Sequence, residues 1–199
     1  RVMDEEADFL GSFNVAYRRE LFLQTGGFDE SYRNASGEDN DLAYRLHDAG
    51  ARLVFRRDIR VAHHHPERLW RYLRTQARHG YWRVKLYRDH RGRSGGDQYA
   101  GLVDLLAPPA ALALTVAALA AAAGLVGDAP WAYVFAQAWF AAFGVYAALR
   151  LALPFRAFVQ SRNAETLLLW PLIVVRDLAR SMGMVRGVWR FLIPGRAAP

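Results

Sequence analysis

The sequence predicts a mixed α/β segment followed by an α-helical transmembrane hairpin and an interfacial or third membrane helix. Three observations carry this reading. Charged residues crowd before residue 98, although 53% of the 199 residues are hydrophobic. The stretches 105–127 and 131–149 contain no charged residue at all. Within the first 65 residues, short β-like runs alternate with helical patterns punctuated by glycine.

In chain order, residues 11–19 read as a strand-like stretch ending in the basic pair Arg18 and Arg19, followed by a short helix to Thr25 and the turn Gly26-Gly27-Phe28-Asp29-Glu30. Gly37 then permits a sharp entry to a helix. Glu38, Asp39 and Asp41 supply first-turn carboxylates, Leu42, Tyr44, Leu46 and Ala49 continue the helical pattern, and Gly50 stops it. Residues 52–56 and 59–62 look like two short strands, the second running into His63, His64 and His65. In isolation, the three carboxylates would be explained by the helix dipole alone, and the histidines as polar residues at a strand end.

The order of these segments resembles the C-terminal half of a family 2 glycosyltransferase. In that family an Asn-x-Ala-x-Arg-Arg segment, a Gly-Gly-Phe-Asp-Glu turn, a Glu-Asp pair and a Val-x-His follow one another, as Asn14 to Arg19, Gly26 to Glu30, Glu38-Asp39 and Val61 to His63 do here. The likeness covers roughly residues 9–90. It implies the GT-A, Rossmann-like fold and inverting transfer from a nucleotide-sugar donor. By the same likeness Asp39 is the catalytic base that takes the proton of the acceptor hydroxyl, and Glu38 orients it or contacts the acceptor. A carboxylate suits this chemistry, because displacement with inversion needs a base on the face opposite the departing diphosphate. Asn14, Arg18, Arg19 and Asp41 are implied to line the donor and acceptor cleft. His63, with His65 in reserve, is implied to help hold a divalent Mg2+ or Mn2+ on the donor diphosphate. A Cys/His zinc site is not expected, since the chain has no cysteine. The family's Asp-x-Asp half is expected to precede Arg1, so these 199 residues are expected to be inactive alone.

Residues 66–90 read as a helix that interleaves Trp70, Tyr72, Tyr81, Trp82 and Tyr87 with seven basic residues, a composition suited to a membrane surface. Gln76 to Trp82 distantly resembles the Gln-x-x-Arg-Trp motif of processive polysaccharide synthases, but Arg78 and Trp82 are not adjacent, so single addition is the expectation. Residues 91–97 read as a linker. The two uncharged stretches, joined by Gly127-Asp128-Ala129-Pro130, are each long enough to cross about 30 Å of hydrocarbon; buried core helices are the alternative. Arg91, Arg93, Arg150, Arg156 and Arg162 flank the hairpin, while its turn has no Lys or Arg. The catalytic part is therefore expected on the cytoplasmic side of the inner (plasma) membrane in a multi-pass protein. The apolar run 166–175 contains Pro171 and leads into five arginines, so a re-entrant or interfacial helix is expected, with a full crossing over 163–179 as the competing reading.

The expected divisions are 1–65 catalytic, 66–98 interfacial helix and linker, 99–150 hairpin, and 151–199 basic tail. The net charge of +7 is tied to membrane flanks, so membrane lipids are expected as partners and nucleic acid is not. With the donor, the expected partner is a lipid-linked or cell-envelope glycan acceptor. The alternative function is an inactive membrane scaffold or partner-binding subunit derived from a transferase.

Overall fold

The computed structural model describes residues 6–64, 67–93 and 101–193. Six α-helices of six or more residues occur among them: α1 (Arg19–Gln24), α2 (Glu38–Asp48), α3 (Leu69–Asp89), α4 (Leu102–Val126), α5 (Ala132–Ser161) and α6 (Leu169–Phe191). Short 3-10 segments lie at Ser12–Asn14, Arg91–Arg93 and Ala164–Leu168. The chain divides into two compact units, one of Arg1–Gly101 with Gly183–Pro199 and one of Leu102–Met182.

The expected α/β, Rossmann-like architecture is overturned. The chain is 71% helical and no strand forms among the described residues. One isolated antiparallel bridge joins Glu6 to Val54, with the Ala7 amide donating to the Leu53 carbonyl at 2.9 Å. A strand is a property of a pair, and the run 52–56 finds a partner at this one point only. The run 59–62 forms no ladder, and its Ile59 and Val61 stay exposed. At residues 11–19 the expected strand is interrupted by the Ser12–Asn14 turn, closed by Asn14 N–H to the Gly11 carbonyl at 3.2 Å.

The helices of the first unit end where their glycines require. After α1, the Gly26 amide donates to Leu23 and the Gly27 amide to Phe22, with Gly26 at φ 80°. After α2, the Gly50 amide donates to His47 and the Ala51 amide to Leu46, with Gly50 at φ 79°. Both are Schellman closures, in which a left-handed residue lets two amides satisfy the last carbonyls. The closure of α2 folds Ala51 and Leu53 back onto Leu42, Ala43 and Leu46, and Phe9, Leu10, Tyr17, Leu21 and Phe22 cover this small core. Tyr17, Phe22 and Phe28 pack ring to ring at 5.6–6.2 Å. Arg45 joins α1 to α2 by donating to the Gly27 carbonyl at 2.7 Å and to the Thr25 carbonyl, cations at a helix C-terminus being favourable.

Helix α3 packs against the last part of α6 through Gly183 and Gly187. A Cβ at Gly183 would fall 1.8 Å from the Ala77 carbonyl oxygen, and one at Gly187 2.6 Å from that of Tyr81. Only residues without side chains allow this approach of two backbones. Phe191 then stacks on Tyr81 and Trp82 at 4.9 and 5.7 Å.

In the second unit α4 and α5 are both long and apolar enough to cross a membrane. At 1.5 Å per residue they reach about 38 and 45 Å, beyond the roughly 30 Å of hydrocarbon. Only 17% of the most apolar window of each is buried. Their turn closes with the Ala129 amide on the Gly124 carbonyl at 2.9 Å, and Trp139 Nε1 donates across to the Leu114 carbonyl at 2.7 Å. The apolar run expected to be re-entrant or interfacial divides between the 3-10 segment Ala164–Leu168 and the start of α6, with Pro171 in the first turn of α6, where a missing N–H costs little.

A charge network lies inside this unit. Asp177 of α6 is fully buried and accepts from Tyr146 Oη at 3.0 Å and Arg150 Nη2 at 3.1 Å, both on α5. Arg150 Nε lies 2.8 Å from Asp177 Oδ2, close enough for charge attraction but not aligned for a hydrogen bond. Asp104 of α4 accepts from Arg150 Nη1 at 3.1 Å, and Arg176 contacts Asp177 at 3.2 Å and Asp104 at 3.6 Å. Asp177 and Arg150 thus pair in the interior, while Asp104, 41% exposed, extends the network toward its edge.

Candidate active site

The first turn of α2 carries the two acidic residues singled out above. Gly37 enters the helix at φ 104°, a conformation that disfavours any side chain. Glu38 Oε2 accepts from the Ser36 amide at 2.5 Å. Asp39 Oδ1 accepts from the Asn40 amide at 2.9 Å, and its Oδ2 meets the amide of Ser12 at 3.4 Å. The Ser12–Asn14 turn therefore lies over Asp39. From the same turn, Phe13 packs edge-on against the His63 ring at 5.0 Å, and Asn14 Nδ2 reaches the Ile59 carbonyl at 3.5 Å. Asp39, Asn14 and His63 are brought around one short turn although they lie far apart in sequence.

Tyr17 belongs to this group and was not anticipated. Partial burial, and then the negative charges of Asp39 and Glu38, push its phenol above the ordinary value.

The other expected residues are placed differently. Asp41, about 200° round the helix from Asp39, is only 4% exposed. Its Oδ2 takes Arg45 Nη2 at 2.7 Å and its Oδ1 pairs with His90 Nε2 at 2.8 Å. Its carboxylate is spent between α2 and the end of α3. Arg18 and Arg19 are exposed at the start of α1, and Arg18 borders an open, mostly apolar groove of about 610 Å³ with Leu10, Tyr17, Leu21 and Leu53. His65 lies outside the described residues.

Lys85, buried on α3, donates to Asp29 at 2.7 Å and Asp89 at 2.9 Å, and sits 4.1 Å over the Tyr32 ring. Partial burial pulls the Asp29 carboxyl upward, but hydrogen bonds from Lys85 and Ser31 outweigh it and hold the group at about 2. The Gly26 to Glu30 turn thus serves to tie α3 to the unit. Ser36 and His79 Nδ1 make a second tie at 2.9 Å. These partners are 43 and 56 residues apart, so no local pattern marks them.

Among the described residues no three His, Asp or Glu side chains converge as a metal-ion site. His63 alone is too few ligands for a divalent cation, which takes several oxygen or nitrogen donors.

Residues 3–81 match the family model described as Glycosyltransferase like family 2. Two relatives called pre-mycofactocin glycosyltransferase, from Mycobacterium tuberculosis strains CDC 1551 / Oshkosh and ATCC 25618 / H37Rv, are each 38% identical over 72 residues. The matched stretch covers 36% of this chain and 15% of each relative's length. No solved structure matches the chain.

Proposed function

From residues 3–81 as a glycosyltransferase family 2 segment, we propose that the protein is a membrane-anchored inverting glycosyltransferase that moves a sugar from a nucleotide-sugar donor to a lipid-linked or cell-envelope glycan acceptor. The observation that carries the chemistry is the Glu38-Asp39 pair at the first turn of α2, with the Ser12–Asn14 turn lying over Asp39. The acceptor oxygen attacks the anomeric carbon, the bond from that carbon to the diphosphate breaks, and the acceptor proton passes to Asp39. Glu38, held by the Ser36 amide, fixes the entry to the helix and the direction of its neighbour.

Membrane anchoring is supported by the length, apolarity and exposure of α4 and α5. The arginines that flank the hairpin, against none in its turn, favour a cytoplasmic position for the catalytic segment. The test is turnover of the complete gene product in membranes, with a panel of nucleotide sugars. Asp39→Asn is expected to lower kcat by about 10²- to 10⁴-fold, the range of a positioned base, with donor affinity kept. Unchanged turnover refutes the assignment of Asp39 as base. A protein that binds partners but shows no turnover in any background is the scaffold instead.

A further inference from the structure

We propose that one face of α3 is a docking surface for an anionic bilayer, so that the helix lies on lipid headgroups instead of standing free in solvent. The observations concern Arg68, Arg71, Arg74 and Arg78, which recur at intervals of three and four and so share one side of the helix. All four are exposed, whereas Gln76 and Gly80 on the other side are buried. With His64, Glu67 and Thr75 they line an open polar groove of about 660 Å³. Four guanidinium groups there face a single carboxylate.

This charge is not consumed within the fold. No ion pair ties Arg68 or Arg71 to the described residues. Arg78 donates only to Thr75 Oγ1 at 3.2 Å, and Arg74 lies over the Trp70 ring at 5.5 Å. Trp70 is itself 67% exposed. Guanidinium groups beside an exposed indole form the pair that bilayer interfaces accept, cations to the phosphates and the amphipathic ring to the headgroup level. Continuity of the chain supplies the place. Only residues 90–101 separate α3 from α4, a tether of at most about 40 Å even when fully extended. If α4 is in the bilayer, the arginine face, on the N-terminal half of α3, stays within roughly 55–70 Å of its start. An acidic protein partner would satisfy the same charges, but nothing holds one at this distance. The proposal rests on the membrane reading of α4 and α5 and adds to it the lipid chemistry that the catalytic segment contacts.

The chain lacks cysteine, so Thr75→Cys creates a single labelling site inside the groove. The labelled chain, carrying an environment-sensitive fluorophore, is reconstituted into phosphatidylcholine vesicles with and without phosphatidylglycerol. The expected result is a blue shift with phosphatidylglycerol only, lost near 1 M salt, where the screening length falls to about 3 Å. Each arginine is expected to contribute about fivefold to the docking equilibrium, so Arg71→Gln with Arg74→Gln weakens it by about 25-fold. Equal emission in both vesicles overturns the proposal, as does a shift that persists in neutral lipid and high salt. A shift produced by inorganic diphosphate on the detergent-solubilised chain assigns the face to a soluble anion and overturns it too. Flotation separates the two levels: a chain that fails to float with vesicles refutes the membrane reading, and one that floats without the shift refutes docking alone.

Discussion

Replacing Lys85 by methionine removes the one buried ammonium of the first unit and tests whether Asp29 and Asp89 are held by charge. The Lys85 side chain is 9% exposed, with Asp29 at 2.7 Å and Asp89 at 2.9 Å. Taking Asp29 from its ordinary value of 3.8 to about 2 corresponds at face value to roughly 2.5 kcal/mol. Its side chain is 35% exposed, however, so solvent screening brings this to about 1 kcal/mol. Loss of the contact with Tyr32 and the repulsion left between two carboxylates raise the expected cost of Lys85→Met to about 2 kcal/mol near neutral pH. The pH profile is the sharper measurement. A carboxyl depressed in the folded state contributes stability that is fully present above its unfolded value and lost as pH falls through the folded one, here between about 4 and about 2. Asp89, whose carboxyl is also held low against partial burial by Arg88 and Lys85, acts in the same direction. Thermal unfolding of the chain in detergent, followed by tryptophan fluorescence, is expected to show wild type losing stability over this window. Lys85→Met starts lower and follows a flatter profile. Parallel profiles for the two proteins would show that Lys85 does not set the Asp29 carboxyl, and the reasoning fails.

Gly183→Ala is expected to lower thermal stability by about 1–3 kcal/mol, because its methyl group meets the Ala77 carbonyl and a backbone must move. Gly144→Ala, with nothing within 4 Å of the added carbon, is the control and is expected to be neutral or stabilising by about 0.5–1 kcal/mol. Asp177→Leu leaves Arg150 buried with a weaker partner and is expected to cost about 3–5 kcal/mol in detergent melts, whereas adding Arg150→Leu recovers part of the loss and leaves Arg176 with Asp104. Gly37→Ala forces a side chain into a left-handed conformation at about 1–3 kcal/mol, lowering both melting temperature and turnover as Asp39 shifts.

Helix α2 was legible because the chemistry that starts and stops it is local: Gly37, three carboxylates, and Gly50 with its two capping amides lie within fourteen residues of one another. The hairpin was legible for a different reason, since length and lack of charge are sums over one segment. Strands at 52–56 and 59–62 were misread because Val54 and Ile59 have β-forming side chains, yet a strand also requires a neighbour, which no local pattern reports. The sequence assigned Asp39 and Asp41 different roles but did not show that Asp41 is bonded on both sides. Arg45, four residues after Asp41, was a local sign that this carboxylate is paired, but His90 completes the site from 49 residues away. Arg150 was read as a flank that sets orientation. In the fold it is a buried cation whose partners, Asp104 and Asp177, are 46 and 27 residues distant.

The group that reaches Asp39 from above is the main-chain amide of Ser12, not its side chain. Every amino acid except proline offers that amide, so the identity of residue 12 is free to change for other reasons, such as the shape or polarity of whatever enters beside it. The carboxylate keeps its position regardless. Ser12→Pro is the one replacement that deletes the donor without altering a charge, which makes it a scalpel for separating how Asp39 is held from what Asp39 does.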